Sequence, residues 1–163
     1  ILILVHFVWN LYDLHSKRAK YYKQAELQAM LTGRKLIVVG DPKKGMSCGL
    51  FGAAHGYGDV CVDIRPENPN LVVAADMHEY LKTLPDNSVV VYSSCVLEYV
   101  PYDLTGIINE LYRVCGDASN IFIVHIPWHH FITRYGYSFQ GDTQINVIER
   151  APPESQDIKW YKN

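Results

Sequence analysis

The stretch from Lys35 to Arg65 limits what this chain can fold into more than any other. It opens with Leu36-Ile37-Val38-Val39, an apolar run without polar alternation, cut by Gly40-Asp41-Pro42-Lys43-Lys44-Gly45. Such a run is the pattern of a strand buried on both faces, as in parallel sheets covered by helices. Met46 to His55 predicts a short helix, and Val60-Cys61-Val62 a second buried strand that ends at Asp63-Ile64-Arg65. Strand, glycine-containing loop, helix, strand and acid together make the opening unit of a doubly wound α/β domain.

The pattern continues downstream. After the turn cluster Pro66-Glu67-Asn68-Pro69-Asn70, Leu71-Val72-Val73-Ala74 predicts a third buried strand ending near Asp76. His78 to Leu84 predicts a short helical piece, and Val89-Val90-Val91-Tyr92 a fourth strand, with Ser93-Ser94-Cys95 as a loop at its end. Leu104, Ile107, Ile108, Leu111 and Val114 recur at helical spacing, so Asp103 to Cys115 should lay one apolar face on the sheet. Ile121 to Ile126 predicts a fifth strand, stopped by Pro127, and Gln144 to Arg150 a last one. Strands alternating with helices over one domain's length imply a mostly parallel sheet between two helical layers.

The chain has 163 residues, 48% hydrophobic and 20% charged, enough for one domain with a real core. A net charge of -2 argues against general nucleic-acid binding. Cys48, Cys61, Cys95 and Cys115 are widely spaced, and Cys61 sits inside an apolar run, which favours a reducing compartment over a disulfide scaffold.

Residues 1–33 read as one long helix, because no Gly or Pro interrupts them before Gly33. The chain begins at Ile1 and not at Met, so a fragment of a longer product is expected. Ile1 to Trp9 is almost wholly apolar and precedes a basic cluster of Lys17, Arg18, Lys20 and Lys23. Nine apolar residues are too few to cross a bilayer, which takes about twenty. They fit the end of a truncated membrane anchor, with Trp9 and Tyr12 at the interface and the basic cluster on the cytoplasmic side. They equally fit a packing helix for a protein partner. Both readings stay open, the anchor slightly ahead. Residues 34–163 form the α/β domain.

The middle of the chain, Lys35 to Pro127, resembles the class I S-adenosylmethionine-dependent methyltransferases. The likeness is carried by Asp76 to Val100, similar to the family's third through fourth strands, and by Glu110-Leu111-Tyr112-Arg113-Val114, similar to its E-L-x-R-V before the fifth. The resemblance implies a three-layer αβα Rossmann-like fold with S-adenosylmethionine as cofactor. Ligands of open parallel sheets lie at the carboxyl ends of the strands. The cofactor residues so implied are Gly40, Asp41 and Gly45 after the first strand, Asp63 and Ile64 after the second, Asp76 and Met77 after the third, and Ser93 and Ser94 after the fourth. Asp63 would take the ribose hydroxyls and Asp76 would approach the adenine amino group. Tyr99, Trp128 and His129 would stand at the rim where a methyl acceptor binds.

A second reading starts from the turn, where the family's acid-x-Gly-x-Gly-x-Gly reads Val38-Val39-Gly40-Asp41-Pro42-Lys43-Lys44-Gly45. Pro has no N–H and a fixed φ, and a Cβ hinders close approach to a ligand. On this reading the domain has lost its cofactor and serves as a structural part of a larger assembly. A third places Lys43 and Lys44 on the phosphate of another nucleotide. His125, His129 and His130 are poorly arranged for a metal, and none is expected.

Overall fold

The computed structural model describes residues 1–100 and 104–124. The first element, α1, spans Leu2–Thr32, 31 residues or about 45 Å of helix. Gly33 ends it in the left-handed region (φ 67°), and the Arg34 N–H reaches back 3.0 Å to the Ala29 carbonyl. That is the glycine stop expected from sequence.

Five strands follow: β1 (Lys35–Val39), β2 (Val60–Asp63), β3 (Val73–Ala74), β4 (Val89–Ser94) and β5 (Ile121–Val124). They form one sheet in the order β3-β2-β1-β4-β5, with every neighbouring pair parallel. The helices α2 (Met46–Phe51), α3 (Met77–Lys82) and α4 (Thr105–Cys115) connect them.

The apolar runs without alternation now have their reason. Leu36 and Val38 of β1, Val90 and Tyr92 of β4, and Phe122 and Val124 of β5 face α1, where they meet Leu14, Tyr21, Tyr22, Ala25 and Ala29. The residues between them, Ile37, Val39, Val89, Val91, Ile121 and Ile123, face α3 and α4 and pack on Leu81, Ile107, Leu111 and Val114. Both faces of the central strands are therefore covered, one by each helical layer. Each fully buried Leu, Ile or Val contributes about 1.5–3 kcal/mol relative to exposure.

Three expectations need correction. The third run is an edge strand of two residues: Val72 is buried, but Leu71 and Val73 face outward, because β3 pairs only with β2. The helix from Met46 stops at Phe51 instead of His55, since Gly52 takes φ 82°. Ser93 and Ser94 belong to β4 and are not loop, because β1 and β5 lie on either side and hold them in register with Val39, Ile123 and Val124. The strand expected at Gln144 to Arg150 lies outside the described residues.

None of the cysteines forms a disulfide. Among the described residues no helix is long and apolar enough to cross a membrane. The first nine residues of the chain are nevertheless exposed, Trp9 among them.

Candidate functional site

The strand order reverses between β1 and β4, the point at which the crossovers leave in opposite directions and open a crevice. A cavity of about 630 Å³ lies there, at the carboxyl ends of the strands. That is within the size range of small-molecule sites. The sheet side supplies Gly40, Asp41 and Gly45 after β1, Asp63 and Ile64 at β2, Asp76 and Met77 after β3, and Ser94 at β4. Phe7, Leu11, Leu14 and Arg18 of α1 supply another wall, and Tyr99 stands exposed at the rim.

The sequence-derived site is thus largely brought together. Of the cofactor candidates only Ser93 is absent from the lining: its side chain is buried within the sheet, and Oγ has no hydrogen-bond partner among the described residues. Neighbouring strand residues point to opposite faces, so Ser93 and Ser94 could not both reach the cavity. Trp128 and His129 lie outside the described residues, as does His125, and the described residues hold no cluster suited to a metal ion.

The loop after β1 is tightly self-bonded. Gly40 adopts φ 105°, and a Cβ there would fall 2.9 Å from Val96 Cγ2 and 3.0 Å from the Ser94 carbonyl oxygen, so only glycine fits. The buried Asp41 carboxylate accepts from the Lys43 N–H at 2.9 Å and from the Glu67 N–H at 3.0 Å. The first bond makes an Asx turn that carries the chain through Pro42, with the Lys44 N–H closing on the Asp41 carbonyl at 3.1 Å. Where the methyltransferase motif relies on further glycines, this chain relies on an aspartate. The N–H groups of Lys43 and Lys44 are consumed in the process.

Asp63 is engaged as well. Its Oδ2 accepts from the Asp41 N–H at 3.0 Å, while Oδ1 accepts from the Arg65 N–H at 2.8 Å and the Lys44 ammonium at 2.8 Å. The Lys44 ammonium also donates to the Arg65 carbonyl. Partial burial pushes the Asp63 carboxyl pKa up, but Lys44 and the two backbone donors outweigh it and hold it below the ordinary value. Asp76 caps α3, accepting from the Glu79 N–H at 3.1 Å. Cys95, next to Ser94, sits at φ 56°, a left-handed conformation uncommon for a side-chain-bearing residue and often found beside sites.

The sequence reading missed α1's share of this cavity. Arg18, read from sequence as part of a basic cluster marking the cytoplasmic side of an anchor, is 4% exposed. Its Nε donates to Ser94 Oγ at 2.6 Å and its Nη1 to Ser47 Oγ at 2.8 Å. The signal was present: Leu11, Leu14, Arg18, Tyr21, Ala25 and Ala29 repeat every three or four residues, which puts Arg18 on the buried stripe. Behind it, Tyr92 donates to the Arg18 carbonyl at 2.9 Å and packs edge-on against Tyr22 and His55. Burial first, then the nearby Arg18 charge, lower the His55 pKa to about 4, against partial support from the Gly56 carbonyl and Asp41.

Scans against protein-family models, curated proteins and solved structures return no match. The fold is Rossmann-like. Any finer reading rests on the cavity itself.

Proposed function

We propose that this Rossmann-like domain is an S-adenosylmethionine-dependent methyltransferase whose acceptor binds at the Tyr99 rim. The observation that carries the reading is convergence: strand-end residues from β1, β2, β3 and β4 meet in one cavity of about 630 Å³ at the switch point. A nucleoside with an amino-acid tail is of suitable size for that space. Asp63 at the end of β2 would hold the ribose diol, with Lys44 swinging off Oδ1, and Ile64 and Met77 would flank the base near Asp76. Gly40 allows the loop to approach the ligand closely. The chemistry available from such a donor is transfer of one methyl group from a sulfonium to a nucleophile, leaving a thioether. The chain's residues bind, orient and exclude water from the two partners. The exposed apolar start of α1 adjoins Phe7 and Leu11 at the cavity, and we place its docking surface, membrane or protein, beside the site.

The second reading, a domain without cofactor in a structural role, draws on a specific observation too: Asp41 and Asp63 already satisfy the loop's own donors. Lys44, paired with Asp63, would have to leave that pair to serve a phosphate. Calorimetric titration with S-adenosylmethionine and S-adenosylhomocysteine separates the two. The methyltransferase reading expects saturable binding below millimolar ligand. Absence of heat at millimolar concentrations leaves the structural reading.

A further inference from the structure

Arg18 is a cation in an unusual position. It is 96% buried by the complement of its 4% exposure, yet its hydrogen bonds go to two neutral hydroxyls, Ser94 Oγ and Ser47 Oγ. Among the described residues no carboxylate forms an ion pair with it, and the third hydroxyl beside it, that of Tyr92, is neutral as well. The nearby acids are committed elsewhere: Asp41 to the N–H groups of Lys43 and Glu67, Asp63 to Lys44 and two backbone donors. A guanidinium withdrawn from water without a counter-charge is costly, and chains keep one where a ligand supplies the missing charge. Arg18 lines the cavity together with both of its serine partners. Those hydroxyls fix the plane of the fork, leaving its remaining edge for a planar oxyanion that two parallel N–H groups can bind.

We propose that Arg18 is the anion receptor of this cavity and takes a carboxylate of the bound ligand. The site itself stands on the surroundings of Arg18. Naming the carboxylate's source rests on the methyltransferase reading: either the amino-acid end of the donor or an acid group on the acceptor. Ser47 and Ser94 are positioning residues, holding the guanidinium through Nη1 and Nε.

Two measurements test this. In the first, the Arg18 Nε–H NMR resonance, assigned by its loss in Arg18→Lys, is followed while the full chain is titrated with sodium acetate or with sodium chloride at matched ionic strength. A saturable shift with acetate alone is expected. Identical responses to the two salts overturn the anion site. In the second, wild type and Arg18→Lys are titrated with S-adenosylhomocysteine and with 5′-methylthioadenosine, which lacks the amino-acid tail. A loss of tenfold or more for the first ligand with under twofold change for the second identifies the donor's carboxylate. An acetate response with both affinities unchanged assigns the carboxylate to the acceptor. Equal losses for both ligands, without an acetate response, make Arg18 a strut between α1 and β4 and overturn the proposal. If wild type binds neither adenosyl ligand, the methyltransferase reading has failed, and the acetate titration alone decides the anion site.

Discussion

Asp63→Ala should destabilise the fold even when no ligand is present. The substitution strips a carboxylate that accepts from the Asp41 N–H at 3.0 Å, the Arg65 N–H at 2.8 Å and the Lys44 ammonium at 2.8 Å. These three losses are unequal. Arg65 is exposed, so water can replace its acceptor, whereas Asp41 is buried and its N–H is left stranded. An orphaned buried donor costs about 1–3 kcal/mol. The Lys44 ion pair is partly solvated and adds at most about 1 kcal/mol. The expected loss is therefore about 1–4 kcal/mol, read from urea unfolding at pH 7 with Asp63→Asn, which keeps an acceptor oxygen, falling in between. The pH dependence has a definite sign. The folded carboxyl has its pKa lowered, so its stabilisation is present above the unfolded value of 3.8 and fades as pH falls through the folded value. The gap between wild type and Asp63→Ala should accordingly narrow in strong acid. A variant within 0.5 kcal/mol, roughly the scatter of neutral surface changes, would refute the idea that Asp63 organises the loop and leave it as a ligand acid alone.

Two further outcomes follow from the same region. Gly40→Ala should cost about 2–5 kcal/mol, since strain at φ 105° adds to a Cβ only 2.9 Å from Val96 Cγ2, while Gly33→Ala, at φ 67° in open space, should cost about 1–2 kcal/mol. Equal urea midpoints for the two would disprove the packing argument. His55 has its folded pKa lowered to about 4 from 6.5, so the folded state resists its protonation; the stability present above pH 6.5 is lost toward pH 4, by about 3 kcal/mol in full. His55→Leu should remove that slope, and parallel stability curves between pH 7 and pH 4 would count against it.

The sequence by itself determined the layers and the order of elements. Unalternated runs such as Leu36 to Val39 have no stable place except between two covering layers, and glycines at positions 33 and 40 mark turns that a Cβ would strain. It also named most of the strand-end residues that line the cavity, because crevices of parallel sheets open at strand ends, whose acids and glycines are visible in a one-dimensional string. Which of those acids were spoken for was decided only in three dimensions. Lys44 and Asp63 are 19 residues apart, and Glu67 reaches Asp41 across 26. The role of Arg18 was equally hidden, since its partner Ser94 lies 76 residues away. Helical spacing could place Arg18 on the inner stripe of α1, but only the packing of α1 across the sheet set a buried guanidinium beside two hydroxyls and an open cavity. Local pattern fixes which residues are covered; charge pairing depends on distances that only the folded chain defines.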